Sequence, residues 1–194
     1  VCIYNPQDSG MIISQSNMDD YDLRFMTDKK VIVSVGRLSS VKRFSLIPAI
    51  ADNLKNKGID FYWYIIGDGQ EHKAIKDAIE EFQIEDRVVM LGAKANPYYY
   101  IKQADLYVCL SSSEACPRVI NEAKILGTPV VSTDFPTVYE YLEDGINGII
   151  SSIDNIPLAI SEMLTNDEKY YNIKKEIENF DFDNSSLIIQ LEDI

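Results

Sequence analysis

Residues 111–134 read SSSEACPRVINEAKILGTPVVSTD, and the order of elements within this stretch decides the fold. Pro117 suits the first position of a helix, where its missing N–H costs nothing. VINEAKIL then reads as helix, and Gly127 closes it as a left-handed cap with Pro129 just beyond. Residues 129–133 (PVVST) form a short apolar strand, and residues 105–110 (DLYVCL) form another upstream. Strand, polar turn, helix and strand in that order is one unit of a parallel α/β sheet.

The same turn makes a site. A helix N-terminus leaves amides unpaired and carries partial positive charge, so the chain before Pro117 can receive an anion. Glu114 precedes the helix and Glu122 lies inside it. At ~1.5 Å rise per residue the two carboxylates stand roughly 10 Å apart, at opposite ends of one ligand. Spacing alone also permits a plainer reading, in which Glu122 pairs with Arg118 at i,i+4 and Glu114 is solvated.

Upstream, residues 30–36 (KVIVSVG) are a continuous apolar strand of the kind buried on both faces. Ile47, Ile50, Ala51 and Leu54 then fall at helical spacing, with Pro48 in the first turn and Gly58 as the stop. Arg37 and Lys42 therefore stand at the carboxyl end of a strand, the edge where open α/β sheets bind ligands. Taken singly, they read as two solvated cations. Residues 61–66 (FYWYII) are the next strand, followed by the turn Gly67-Asp68-Gly69, which lacks the third glycine of a dinucleotide fingerprint. Ala74, Ile75, Ala78, Ile79 and Phe82 form the apolar face of another helix. His72 is the only histidine and reads as a surface residue, so no metal site is expected. Residues 87–91 (RVVML) are a strand closed by Gly92, and Asn96-Pro97 starts a short helix whose Tyr98, Tyr99 and Tyr100 divide between core and surface.

Downstream, residues 135–142 read as a helical turn, Asp144-Gly145 and Asn147-Gly148 as turns, and residues 149–150 as a last strand. Residues 154–166 and 167–180 read as helices, residues 1–6 as a short strand, and residues 17–30 as loop or linker. The expectation is a doubly wound, Rossmann-like parallel sheet of about six strands flanked by helices.

At 194 residues the chain is one domain, or one domain with a helical extension, and its 46% hydrophobic content suffices for a core. A net charge of −13 argues against a nucleic-acid binder with a broad basic face and against direct docking on anionic lipid. Three cysteines, one of them (Cys109) within an apolar strand, point to reduced thiols and a cytoplasmic setting. No apolar run approaches the ~18 residues of a membrane span, and no secretory signal is visible. The chain begins with Val, as expected for a piece of a longer protein.

Glu114, seven residues, Glu122, and then EAKILGTPVVSTD resemble the E-x7-E segment of the family 4 retaining glycosyltransferases, which have the GT-B fold. The usual form is S-x-x-E-G-F-P-x-x-x-x-E-A-x-x-x-G-x-P-V-V, and this chain departs from it at Ala115 and Cys116. The family pattern G-R-L-x-x-x-K matches residues 36–42 throughout, with Arg43 where glycine is usual, and the family's G-D-G turn stands at 67–69. The likeness covers roughly residues 1–184.

The resemblance implies that residues 1–194 are a single carboxyl-terminal, nucleotide-sugar-binding domain, with a hinge-proximal segment at 1–30, a helical extension at 167–194 and a missing amino-terminal GT-B domain. The donor would be a UDP- or GDP-sugar, with transfer to a glycan or lipid-linked acceptor, without metal, cofactor or nucleic acid. Arg37 and Lys42 would hold the donor diphosphate and Glu114 the transferred sugar, as the catalytic set. Gly36, Gly67, Asp68, Gly69, Gly92, Pro117, Arg118, Val119 and Glu122 would line the nucleotide sugar, with Glu122 on the ribose. A cytoplasmic place, peripheral at the inner face of the membrane through the missing domain, fits this reading. Phe135-Pro136-Thr137 stands where the family has a Gly-rich turn, so no site is carried over to it. Residues 180–184 (FDFDN) resemble the family's F-S-W-E segment, and Asp181-x-Asp183 there reads as a chance D-x-D. Two other readings stay open: another GT-B enzyme, such as a sugar phosphorylase or nucleotide-sugar epimerase, or a non-catalytic module that binds a nucleotide or a partner protein.

Overall fold

The computed structural model describes residues 7–18, 28–178 and 180. Its centre is β1 (Lys30–Val35), whose Val31, Ile32 and Val33 are buried on both faces of the sheet. Such a strand needs covering helices on either side, which only parallel crossovers supply. The remaining strands are β2 (Phe61–Ile66), β3 (Val88–Gly92), β4 (Leu106–Cys109), β5 (Val130–Thr133) and β6 (Ile149–Ser151). All pairings are parallel and the order is β3-β2-β1-β4-β5-β6, the doubly wound arrangement expected from the sequence.

Seven α-helices are described: α1 (Ser9–Ser16), α2 (Ile47–Asn56), α3 (His72–Glu81), α4 (Tyr98–Gln103), α5 (Arg118–Ile125), α6 (Ile156–Thr165) and α7 (Asp167–Glu178). One apolar layer joins Ile47, Leu54, Ile75 and Ile160 to Trp63 and Ile65 of β2, and the other joins Tyr100, Ile101, Ile120 and Ala123 to Val33 and Tyr107. Trp63 is fully buried, and its indole N–H is satisfied by Ser34 Oγ at 3.1 Å, which in turn donates to the Val108 carbonyl. The polar atoms inside the sheet thus tie β2 to β1 and β1 to β4.

Several local readings shift. Pro117 is the residue before α5 rather than its first, with ψ at 66°, because Arg118 N bonds back to Cys116 O in a tight turn. Gly127 does close α5: Thr128 N bonds Ala123 O at 2.9 Å and Gly127 N bonds Lys124 O at 2.9 Å, the paired bonds of a Schellman cap. On α3 only Ile75 and Ile79 are buried, while Ala74 and Phe82 face solvent. Helix α1 falls in a stretch that carries no strong pattern; Asp8 caps it by accepting from Met11 N at 2.8 Å, and it packs on α4 and α5. The short strand expected at residues 1–6 lies outside the described residues, as does Asp181-x-Asp183. Arg43 occupies the left-handed region at φ 53°, so the arginine takes a backbone shape open to the glycine usual there.

Candidate donor site at the switch point of the sheet

β1 has β2 on one side and β4 on the other, so the chain leaves the carboxyl ends of β1 and β4 in opposite directions and opens a crevice between them. The two loops that border it carry the two most specific candidates. Lys42 follows β1, Glu114 follows β4, and Lys42 Nζ lies 2.6 Å from Glu114 Oε1, although 72 residues separate them. Their side chains are only 22% and 10% exposed, so the pair is screened from water. The backbone bridges the same crevice, with Ser112 N donating to Val41 O at 2.8 Å. The solvated Glu114 of the plainer reading is therefore replaced by a half-buried ion pair.

Ser111 is buried and its Oγ donates to the same Glu114 oxygen at 2.6 Å. Thr137 Oγ1 donates to the Glu114 carbonyl at 2.6 Å, and Thr133 Oγ1 to the Ser111 carbonyl at 2.6 Å. These three hydroxyl residues were not among the sequence candidates. Ser111 stands at the S-x-x-E position of the motif, so its signal was present in the sequence; Thr137, in the Phe-Pro-Thr turn, carried none.

Arg37 is exposed at the carboxyl end of β1 and enters no hydrogen bond or ion pair among the described residues. It lines a cavity of about 250 Å³ with Gly36, Gly67, Asp68, Ala93 and Lys94. Lys94 adds a second cation there that no motif announced. The G-D-G turn has a packing reason: a Cβ on Gly67 would meet Gly36 O at 1.8 Å, and one on Gly69 would meet Leu38 O at 2.4 Å. Gly36 N bonds Ile66 O and Leu38 N bonds Asp68 O, both at 3.0 Å, so the two loops lie backbone against backbone. Asp68 Oδ1 accepts from Gly69 N within the turn, and Gly92 O receives Gly67 N at 2.9 Å.

Glu122, on α5, is buried beside Arg118, whose Nη2 lies 3.9 Å away, and Gln7 Nε2 approaches it at 3.5 Å. Burial pushes its carboxyl pKa up, against the smaller opposing pull of Arg118 and Gln7. The i,i+4 pairing of the plainer reading is thus present, but too long to neutralise a buried charge. Tyr98 of α4 is half-buried, and burial first, with the Glu122 charge second, raises its pKa. Pro117 is buried, Val119 half-buried and Arg118 exposed around the same helix start. Lys124, two residues on, is also buried; it donates to Tyr141 O at 2.7 Å, and burial lowers its pKa to about 8. Among the described residues no group of three or more His, Cys, Asp or Glu side chains is placed to hold a metal ion, and no helix is long and apolar enough to cross a membrane.

The chain is similar to known proteins. A glycosyltransferase of uncharacterized activity from Haemophilus influenzae is 29% identical over 147 residues, covering 74% of this chain and 42% of that protein. The N-acetylgalactosamine-N,N'-diacetylbacillosaminyl-diphospho-undecaprenol 4-alpha-N-acetylgalactosaminyltransferase of Campylobacter jejuni is 29% identical over 144 residues, covering 74% of this chain and 38% of the enzyme. The chain thus spans less than half of either relative. Among solved structures, Anabaena HepE in complex with UDP superposes with a TM-score of 0.84 at 22% identity, over 98% of this chain and 56% of that one. At that identity the superposition establishes the fold. The family model described as "Glycosyl transferases group 1" matches residues 17–180, and with the sheet order and the switch-point crevice this means that the chain belongs to the group 1 glycosyl transferases.

Proposed function

We propose that this chain is the carboxyl-terminal, donor-binding domain of a family 4 retaining glycosyltransferase, and that it binds a UDP- or GDP-sugar in the crevice between β1 and β4. The observation that carries the reading is the meeting of Lys42 and Glu114 across that crevice, with Arg37 uncommitted on the same loop after β1. Cleaving a glycosyl phosphate builds negative charge on the departing diphosphate. Cations already fixed in place stabilise that charge without reorganising, and a good contact of this kind contributes about 3–4 kcal/mol in other enzymes. Arg37 and Lys42 take this role. Lys42 has three N–H donors, and one serves Glu114, so two remain for phosphate oxygens. Glu114 accepts from the transferred sugar and Glu122 from the ribose hydroxyls, while Gly36, Gly67, Gly69 and Gly92 let the backbone approach the nucleotide. Pro117, Arg118 and Val119 shape the start of α5 toward it, and Asp68 holds its turn.

The UDP and UDP-glucose complexes of HepE, and the undecaprenol-linked acceptor in the name of the Campylobacter enzyme, support a nucleotide-sugar donor and a glycan or lipid-linked acceptor here. The reading includes binding without a divalent metal. Calorimetric titration of the chain with UDP and GDP, with and without EDTA, tests it. Binding of one nucleotide, unchanged by EDTA and weakened with a shallower salt dependence in Lys42→Ala, is expected. No binding of either nucleotide overturns the reading, and binding restored only by Mg²⁺ or Mn²⁺ overturns its metal-free part.

A further inference from the structure

Glu114 carries its bonds on one oxygen. Oε1 receives Lys42 Nζ at 2.6 Å and Ser111 Oγ at 2.6 Å, with the Cys109 thiol at 3.8 Å behind them. Oε2 accepts nothing among the described residues, and it is not a sealed, orphaned atom. An ionised carboxylate has no proton to give, so the Ser111 hydroxyl must be the donor in their bond. Ser111 is 1% exposed, its Oγ also accepts from the Cys109 thiol at 3.6 Å, and its carbonyl accepts from Thr133 Oγ1 at 2.6 Å. The Glu114 main chain is pinned as well, by Thr137 Oγ1.

We infer that Ser111 is a positioning residue: together with Lys42 it locks Oε1 of Glu114 and so presents Oε2 as a single, fixed acceptor for the hexose of the donor. The inference rests on the donor-binding reading above and adds to it a division of labour within one carboxylate. Two opposed effects follow at Lys42. Its charge is partly balanced by Glu114, so the pair receives a diphosphate less strongly than a free ammonium would. In exchange, the ammonium and the hexose acceptor hold one another in place, so the leaving diphosphate and the sugar are gripped by one connected unit. Ser111 itself touches neither ligand; it acts through Glu114.

The test compares binding of UDP, UDP-glucose and UDP-N-acetylglucosamine, and of GDP and GDP-mannose, to wild type, Ser111→Ala, Glu114→Gln and the double variant. Calorimetry on the full chain reads the Kd of each ligand. Ser111→Ala is expected to leave nucleoside diphosphate affinity within about twofold and to remove about tenfold of what the hexose adds, the scale of one hydrogen bond to a charged group. Glu114→Gln is expected to bind the nucleoside diphosphate more tightly than wild type and to lose the hexose increment. In the Glu114→Gln background, Ser111→Ala is expected to change the hexose increment no further, which a merely structural serine would not reproduce. Equal losses for nucleotide and nucleotide sugar in Ser111→Ala, additive losses in the double variant, or a hexose that adds nothing in wild type overturn the positioning role. A wild-type chain that binds neither UDP nor GDP overturns the donor-binding reading instead.

Discussion

Glu122 is a buried carboxylate whose surroundings oppose its charge, with burial outweighing the distant Arg118 guanidinium. Its folded pKa is raised above the unfolded value, so the ionised side chain destabilises the ligand-free fold at neutral pH. That burden is full above the folded pKa and vanishes as pH falls below the unfolded value near 4.5. A Gln at this position keeps the shape and drops the charge. Glu122→Gln is therefore expected to raise the thermal midpoint by about 2–4 °C at pH 7. The advantage over wild type should shrink as pH is lowered through the folded pKa toward 4.5, as followed by melting curves across that range. The same variant should bind UDP or GDP more weakly, because a neutral amide accepts less strongly from ribose hydroxyls. A residue that destabilises the empty fold and strengthens ligand binding is typical of functional positions. A Glu122→Gln chain with an unchanged midpoint and unchanged nucleotide affinity would remove Glu122 from the site.

Two glycines that look alike in the sequence differ at the level of elements. Gly127 closes α5 with φ at 71° and open space around it, whereas Gly67 follows β2 with φ at 146° and the Gly36 carbonyl where a side chain would start. Gly127→Ala meets only the left-handed penalty of about 1–2 kcal/mol. Gly67→Ala must also part the β2–α3 turn from the β1–α2 loop, breaking the Leu38–Asp68 bond, so a loss of about 3 kcal/mol or more is expected. Urea denaturation measures both, and comparable losses would mean that the two loops do not need their close approach. Elements of this kind were the legible part of the sequence. β1, β2 and β5 are short apolar runs between turn residues, and Gly58 and Gly127 mark their helix ends by a backbone need that only local chemistry sets. α1 was not legible, because SGMIISQS has no clean apolar stripe and gains its burial from α4 and α5, which are remote in the chain. The Arg37 and Lys42 positions could be read from motif and strand edge. The Lys42–Glu114 pair could not, since no local pattern links residues 72 apart. Nor could the anchoring of Glu114 by Thr137, which depends on how the chain returns after β5.

For the whole molecule, on the reading proposed above, the switch-point crevice supplies one wall of a reaction site. Arg37, Lys42 and Glu114 all lie on loops at the carboxyl edge of a single sheet. Two further cavities lie at the flanks, one beside α3 and β3, the other beside β6 and α6. The chain also spans only 42% and 38% of the Haemophilus and Campylobacter relatives. On the reading proposed above, a second domain supplies the acceptor wall and closes the crevice against water. Holding acceptor and donor in reacting geometry is worth roughly 7–11 kcal/mol of barrier in favourable cases. A domain that binds the donor without that orientation keeps its electrostatic contacts and forfeits most of the rate. The 194-residue chain alone is thus expected to bind a nucleotide sugar, to hydrolyse it slowly at most, and to transfer no sugar. Joining it to the amino-terminal half of a full-length relative, or adding that half in trans, should restore transfer. The measurement is incorporation of labelled sugar into lipid-linked or polysaccharide acceptors, with donor hydrolysis counted separately. Transfer by the isolated chain at the rate of the joined protein would show that the acceptor wall is already present, and the single-domain reading would have to be abandoned.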